Sequence, residues 1–375
     1  LGFSDAAIAA FRNESEQTIR NKRLQLNIKP VIKQIDTLAG EFPTETNYLY
    51  MTYHGSSNDI CPAKDPAILV LGSGPYCIGS SVEFDWCAVN ALKSLKELDE
   101  TTIIINSNPE TISTDFDESD RLYFEELTLE RVSDIADFEN LKGIILSVGG
   151  QIANNLALQL EGSNYPILGT PVSFIDLAEN RKKFSSLLNH LKIDQPLWTE
   201  VKETSEAKAF AEKVGFPVLL RPSYVLSGSA MNVIDNANDL QKFLEEAKIY
   251  SRGHPVVLSQ FIENAKELEI DGVAKEGKIL IQTISEHIEN AGVHSGDATI
   301  VIPPQKVYLE TIRRAKKDTE SIIKALNITG PCNIQFLAKD NAIKVIECNA
   351  RASRSFPFVS KVTNCNFIDV AIKAI

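Results

Sequence analysis

The six cysteines of this 375-residue chain form no CxxC pair and no tight ligand spacing, which removes thiolate metal centres and redox dithiols from consideration. No apolar run approaches the length of a membrane span, and neither a signal nor a transit peptide opens the chain. Basic residues are short too, 38 Lys and Arg against 50 Asp and Glu, for a formal charge of −12. A partner gripped through nucleic-acid phosphates requires a basic face to displace counterions, so that class is excluded. An anionic small-molecule substrate must then be met by locally placed arginine, lysine, metal or helix N-termini. Cys332 and Cys348 fall in expected strands, where a reduced thiol packs as a small apolar group. A reducing compartment fits best.

What is present is ordinary for a globular chain: 43% hydrophobic and 23% charged residues, with length for two or three domains. The chain opens at Leu1, without methionine and inside a helical pattern, as expected of a piece of something longer. Residues 1–62 read as a polar helical segment, with Ser4 and Asp5 as caps for a helix from Ala6 and a second helical run from Ser15 to Leu26. Pro30 interrupts, and Tyr48, Tyr50 and Tyr53 follow as an amphipathic aromatic ridge. From Pro62 short apolar runs alternate with helical spacing. Ala67–Leu71, Thr102–Ile105 and Gly143–Val148 predict strands covered on both faces, while Ala88, Leu92, Leu95, Leu98 and the run Ile152–Leu160 predict helices. The fold class is therefore α/β, a doubly wound parallel sheet in this part. Its ligand-facing loops lie beyond the strand ends, at Gly72–Pro75, Asn106–Glu110 and Gly149–Gln151. A dinucleotide fingerprint fails, because Cys77 stands where the third glycine is due.

Farther on, Arg181, Lys182 and Lys183 crowd the first turn of a predicted helix, against its dipole, and require compensation. An apolar strand delivers Arg221 into a small flexible loop around Ser227–Gly228 that lacks the GK[ST] ending of a Walker A loop. Glu267, Glu269 and Asp271 alternate onto one strand face; Glu269 and Asp271 are expected to meet solvent, with Glu267 placed to hold a ribose or an ion. Gly292–Asp297 is a glycine-bracketed loop that exposes His294 and Ser295.

The segment Cys332–Ser355 is two strands around a polar turn at Lys339–Asn341. Alternation puts Glu347 and Asn349 on one face, joined by Arg351 if the chain stays extended. Gln335 reaches that face opposite Glu347 only through an odd loop, three residues centred on Asn341, which is the expectation adopted. One carboxylate with two amide oxygens suits Mg²⁺ completed by waters and phosphates, and Arg351 and Arg354 are placed to clamp those phosphates. An edge hairpin with a polar lip and ordinary surface arginines is the other reading of this stretch.

Together these segments resemble the large chain of carbamoyl-phosphate synthetase, specifically its carboxyl-terminal synthetase half and its eukaryotic members. The resemblance covers nearly the whole chain. It rests on GSGPYCIGSSVEFDW at 72, NSNPETISTDFDESDRLYFEELTLE at 106, VGGQ at 148, AENR at 178, LLRPSYVLSGSAM at 219, EHIENAGVHSGD at 286 and IECNARASRSFPFVSK at 346. It implies the end of an oligomerisation domain at 1–62, a Rossmann-like pre-ATP-grasp domain at 63–177 and an α+β ATP-grasp domain at 178–375. Carried over by position, it implies ATP contacts at Arg181, Arg221, Gln260, Ile262, Glu267, Gly292, Val293, His294, Ser295, Gln335 and Glu347. Metal ligands fall on Gln335, Glu347 and Asn349, and Arg351, Arg354 and Asn349 sit beside the transferring phosphate. The implied cofactors are ATP, Mg²⁺ or Mn²⁺, and K⁺ near Glu267 and His287–Val293.

The implied reaction is phosphorylation of carbamate by ATP to carbamoyl phosphate, for arginine, urea or pyrimidine synthesis. The loop at Ser227–Gly228 is the candidate lid over unstable carbamate. The implied partners are the first synthetase half and a glutamine amidotransferase, in an oligomer located in the cytoplasm or, alternatively, the mitochondrion. Cys77 departs from the basic residue common in relatives, and Lys182 and Lys183 from a mixed pattern. A non-catalytic nucleotide-binding module predicts loss of a metal ligand or clamp arginine, and none is lost. A carboxylate–amine ligase of the same superfamily shares the metal strand but does not need the blocks from 72 to 150.

Overall fold

The computed structural model describes residues 2–43, 46–77, 79–163, 165–222, 231–250, 256–293 and 298–375. Its first two helices, Asp5–Arg12 and Glu16–Gln25, begin at Ser4 and Ser15, whose side chains each accept a backbone N–H of the opening turn. They bury Ala9 and Ile19 and are tied to the helix Leu129–Phe138 by buried charge. Arg23 donates to Asp5 at 2.9 Å and to Asp134 at 3.1 Å, and Arg20 pairs with the same Asp134. Glu130 accepts the backbone N–H of Asp5 at 2.5 Å and the Tyr53 hydroxyl at 3.2 Å.

Seven strands form the first sheet, in the order Val31–Gln34, Tyr48–Thr52, Arg121–Tyr123, Thr101–Ile105, Ala67–Leu71, Leu141–Ile145 and Ile167–Leu168. Every pairing is parallel except the first. The expected doubly wound sheet is thus present, but it starts earlier than residue 63. The stretch containing Tyr48 and Tyr50 is a strand: Leu49 and Met51 point into the core while Tyr50 points out, a period of two that an aromatic ridge on a helix does not have. The predicted helix Ile152–Leu160 is two short pieces, Gly150–Asn154 and Ala157–Leu160.

The remainder builds two antiparallel sheets. Asn232–Ile234, Val218–Pro222, Val256–Gln260 and Trp198–Val201 form one, backed by the helices Thr204–Val214 and Ala237–Tyr250. Ile300–Val301, Lys278–Asn290, Lys266–Lys275, Gly330–Lys339 and Ala342–Asn349 form the other. Two closing helices, Phe356–Thr363 and Phe367–Ala374, return to the first sheet. Phe356, Val359, Phe367 and Ile368 share one apolar cluster with Ala88, Leu92 and Leu95 of the helix Val82–Glu97. Thr170 Oγ1 donates to the Thr329 carbonyl at 3.1 Å and accepts its N–H at 3.0 Å. Because parallel and antiparallel parts share a core, the ends of the parallel strands face the last hairpin.

Removing Arg23 leaves the carboxylates of Asp5 and Asp134 buried with less cation than charge. Arg23→Ala is expected to lower unfolding free energy by about 3–5 kcal/mol in urea titrations; a loss under about 1 kcal/mol would show the docking to be apolar after all.

Candidate active site

The hairpin at the centre of the site turns on two residues, Asp340 and Asn341, both with positive φ (49° and 64°), as a tight right-twisting hairpin needs. The sequence predicts three. Two residues alone would put Gln335 out of register, and from Lys339↔Ala342 to Phe336↔Val345 the pairing follows that even count. Then the register shifts, and Gln335 stands opposite Glu347 with Ile346 as an extra residue. The expected neighbours are therefore correct and the expected loop is not; a β-bulge supplies the odd residue.

The bulge frees the Ile346 carbonyl, which accepts from Arg181 Nη1 at 2.6 Å. Arg181 opens the helix Arg181–Leu191, and its guanidinium lies 5.3 Å from the Trp198 ring centroid. Removal from water, and then Arg221, push its pKa down to about 10 against the pull of Glu347. Its Nε is shielded from water and has no protein acceptor among the described residues, the signature of a donor awaiting an anion. The adjoining lysines are compensated by carboxylates: Lys182 by Glu200 at 2.6 Å and Lys183 by Asp176.

Opposed residues of paired antiparallel strands share a face. One row across the sheet is Ser285, Glu269, Gln335 and Glu347, and the next is Asp271, Asn333 and Asn349. Glu269 and Asp271 were expected at solvent; they are 3% and 0% exposed. The sheet face that carries them is roofed, so their charge is met by donors. Glu269 is bonded to His287 Nε2 at 3.0 Å and to Asn333 Nδ2 at 3.1 Å. Asp271 accepts from Asn333 at 2.8 Å and from the Ser353 and Ser355 hydroxyls at 2.6 Å each, tying down the loop between Arg351 and the next helix. Burial, then Glu269, push Asp271 up to about 6. Burial pushes Glu267 up to about 7, although His287 Nδ1, 3.9 Å away, opposes this. Burial lowers the pKa of His287 itself, but the Glu269 hydrogen bond and the charge of Glu267 outweigh it, for a net rise. Glu267, Glu269 and His287 each bring one ligand atom within 4.8 Å of the others.

At the outer edge of the same face, Asn349 Nδ2 donates to Glu347 at 3.2 Å and Arg351 Nη2 to Asn349 Oδ1 at 3.3 Å. Arg221 Nη1 is 3.8 Å from Glu347 Oε2. Gln335, Glu347, Asn349, Arg351, Arg181 and Arg221 are thus one constellation. Gln260 and Ile262 lie at the exit of the strand Val256–Gln260, and Gly292 (φ 113°) approaches Phe261 between them so closely that a Cβ would sit 3.1 Å from its ring. That places Gly292 and Val293 beside the same linker. Arg354 is outside this hydrogen-bonded group, 3.6 Å from Glu83 of the helix Val82–Glu97, but near enough that, after burial, its charge helps lower the pKa of Arg351. His294, Ser295 and the proposed lid at Ser227–Gly228 lie outside the described residues.

The sequence reading names no contact for two participants, Gln151 and Glu179, although it puts Gln151 in a ligand-facing loop. Gln151 Oε1 accepts from Arg351 Nε at 3.1 Å and Nη2 at 2.8 Å, and its Nε2 donates to Glu179 at 3.1 Å. Both lie inside blocks quoted above, VGGQ and AENR, and nothing local in either block points to Arg351, 200 residues away.

Residues 64–177 match the carbamoyl phosphate synthase preATP-grasp domain and 180–374 the ATP-binding domain of the carbamoyl-phosphate synthase L chain. The chain belongs to the carbamoyl-phosphate synthase large-chain family. It is 56% identical over 375 residues to the multifunctional protein URA2 of Saccharomyces cerevisiae. It is 54% identical over 373 residues to the mitochondrial ammonia-type carbamoyl-phosphate synthase of Rattus norvegicus, and 53% over 382 to the mitochondrial arginine-specific large chain of Neurospora crassa. All of this chain is covered in each case, but only 17%, 25% and 33% of those relatives. Among solved structures, the biotin carboxylase domain of Hydrogenobacter thermophilus 2-oxoglutarate carboxylase, determined with MgADP, ADP and bicarbonate, superposes with a TM-score of 0.67 at 18% identity. It covers 82% of this chain and 69% of that one. Campylobacter jejuni biotin carboxylase gives 0.67 at 17%, covering 83% and 71%. The expected architecture, a pre-ATP-grasp sheet followed by an ATP-grasp unit, is the one observed. Among the described residues no helix is long and apolar enough to cross a membrane.

Asp271→Ala would leave Ser353, Ser355 and Asn333 without their shared acceptor. An unfolding free energy lower by about 1–3 kcal/mol is expected in urea titrations, with Asp271→Asn losing less because its amide oxygen still accepts. Equal losses in the two variants would contradict the assignment.

Proposed function

We propose that this chain carries the second, carboxyl-terminal synthetase half and phosphorylates carbamate with ATP. The observation that carries this reading is the shared face of Gln335, Glu347 and Asn349, from two adjacent rows, with Arg351 hydrogen-bonded to Asn349. The quoted sequence blocks on which the resemblance to that half rests support the carboxyl-terminal assignment. The matches at 64–177 and 180–374 support a pre-ATP-grasp domain followed by an ATP-grasp domain, with the sheet of the first beginning at Val31 and not at 63.

In this reading Arg181 and Arg221 hold the nucleotide phosphates; the partnerless Nε of Arg181 has capacity for one. Gln260, Ile262, Gly292 and Val293 receive the nucleoside, together with His294 and Ser295 of the same sequence segment, with Glu267 at its ribose. One carboxylate and two amide oxygens fit a hard divalent ion that keeps waters and phosphate ligands, so Gln335, Glu347 and Asn349 would hold Mg²⁺ or Mn²⁺. When bound, that ion neutralises charge on the β- and γ-phosphate oxygens. A carbamate oxygen attacks the γ-phosphorus, the bond to the β–γ bridging oxygen breaks, and ADP leaves with that electron pair. Arg351 and Arg354 spread the charge of the transferring group. No protein nucleophile is required. K⁺ would be held by Glu267 and the backbone oxygens of His287–Val293.

The first synthetase half and a glutamine amidotransferase supply carbamate in the parent, an oligomer of the cytoplasm or mitochondrion serving arginine, urea or pyrimidine synthesis. A non-catalytic nucleotide module is the second reading; the intact ligand row and both clamp arginines disfavour it.

The test is ATP formation from ADP and carbamoyl phosphate with Mg²⁺ and K⁺. Turnover is expected in the intact chain, with a loss of about 100-fold or more in Glu347→Gln and in Arg351→Ala. Binding of ADP without any turnover would favour the module reading.

A further inference from the structure

Arg351 hydrogen-bonds to Asn349 at the end of the proposed ligand set, yet among the described residues it hydrogen-bonds no carboxylate. Its two inward N–H groups fork onto a single neutral oxygen, Gln151 Oε1, at 3.1 and 2.8 Å, while Nη2 also reaches Asn349 Oδ1 at 3.3 Å and Nη1 turns back to the Ala352 carbonyl at 2.9 Å. Carboxylates are not scarce in this region. Glu179 lies on the far side of the Gln151 amide and accepts from its Nε2 at 3.1 Å, and from Asn154 as well. A guanidinium has only donors and a carboxylate only acceptors, so an amide between them has one orientation, oxygen to Arg351 and nitrogen to Glu179.

The approach of Gln151 is built into the backbone before it. A Cβ on Gly149 would lie 2.3 Å from the carbonyl oxygens of Leu71 and Gly72, and one on Gly150 (φ 73°) would lie 3.1 Å from the Phe84 ring. The Arg351 guanidinium lies 5.9 Å from the centroid of that same ring, and the Ser147 carbonyl accepts the Ala352 N–H at 2.8 Å. The two glycines therefore let the end of the parallel sheet close on the arginine-bearing loop, with Phe84 beneath and Gln151 at the side.

We propose that Gln151 is the positioning residue for Arg351: a neutral acceptor that fixes the guanidinium by a two-pronged hydrogen bond without placing a carboxylate against it, leaving its charge available for the substrate phosphate. A carboxylate at 151 would orient the arginine equally well and cancel much of the charge the reaction needs. Gln151 itself touches no reacting atom. It holds Glu179 one amide away, where the acid anchors the device without pairing with the cation. The inference rests on the reading of Arg351 as a phosphate clamp.

Two measurements test it on the intact chain. The first is exchange of the Arg351 Nε proton with water by ¹⁵N NMR, assigned by its absence in Arg351→Lys. Gln151→Met, close in size but without an acceptor, is expected to speed exchange at least about 10-fold, whereas Gln151→Glu keeps it slow. The second is ATP formation from ADP and carbamoyl phosphate. Both variants are expected to lose kcat by about 100-fold with ADP affinity, measured without turnover, unchanged: the Met variant through lost orientation, the Glu variant through lost charge. A structural role alone predicts a different result, Gln151→Glu fully active and Gln151→Met altered only in unfolding midpoint, and that result would overturn the proposal. Unchanged Nε exchange in Gln151→Met would overturn it equally. If instead Arg351→Ala retains full turnover, the clamp reading fails, while the exchange measurement still decides whether Gln151 holds Arg351.

Discussion

The candidate site depends on one residue too many. Ile346 has no opposite number on the neighbouring strand. Were Ile346 paired in turn instead of bulged out, the two-residue turn at Asp340–Asn341 would put it opposite Gln335 and send Glu347 and Asn349 to the other face, since a slip of one residue inverts a strand. With Ile346 bulged, the amides and the carboxylate converge, and its unpaired carbonyl becomes the acceptor that fixes Arg181. A local irregularity in a hairpin thus places both the side chains proposed to hold a metal and the guanidinium of Arg181. Bulges commonly serve this purpose beside active sites, where they re-aim a side chain at little cost to the sheet.

Charge balance is the second constraint. The five-stranded sheet turns Glu267, Glu269 and Asp271 inward, and buried carboxylates are costly unless donors or cations meet them. Asn333 bridges Glu269 and Asp271, His287 lies between Glu267 and Glu269, and two serines close over Asp271. This acidic interior underlies the arginine-bearing loop: Asp271 holds Ser353 and Ser355, the residues on either side of Arg354. The arginines stand at the outer edge, where burial and then Arg221 lower the attraction of Arg181 for its proton and Glu347 partly offsets them. An anionic nucleotide with its metal suits this layered arrangement, cations outside and acids within.

Much of this was legible in the residues. The short apolar runs at Ala67–Leu71 and Thr101–Ile105 are strands, because continuous branched apolar residues need cover on both faces. That Glu347 and Asn349 share a face was legible from alternation; Arg351 was expected there only if the chain stayed extended, and it reaches Asn349 from a bend beyond the strand's end. The misreadings have physical causes. Alternation says that Glu267, Glu269 and Asp271 share a face but not which face is roofed, because the roof comes from Ser353 and Ser355, more than 80 residues later. Turn length was misjudged because a bulge and an odd loop give the same pairing at Gln335. The strand Tyr48–Thr52 was missed because its partners, Val31–Gln34 and Arg121–Tyr123, lie on either side of it in sequence at a distance. The link between Gln151 and Arg351 is of the same kind, set by the fold and not by any local pattern.

The central claim is that the bulged hairpin turns Gln335 and Asn349 toward the nucleotide's metal. The most direct measurement is the NMR line width of their side-chain amides, assigned by Gln335→Met and Asn349→Leu, while ADP with Mn²⁺ is titrated into the chain. Broadening of both signals at the first equivalent, absent with Mg²⁺, is the predicted result. Sharp Gln335 and Asn349 signals with broadening elsewhere would place the metal on another face and contradict the account.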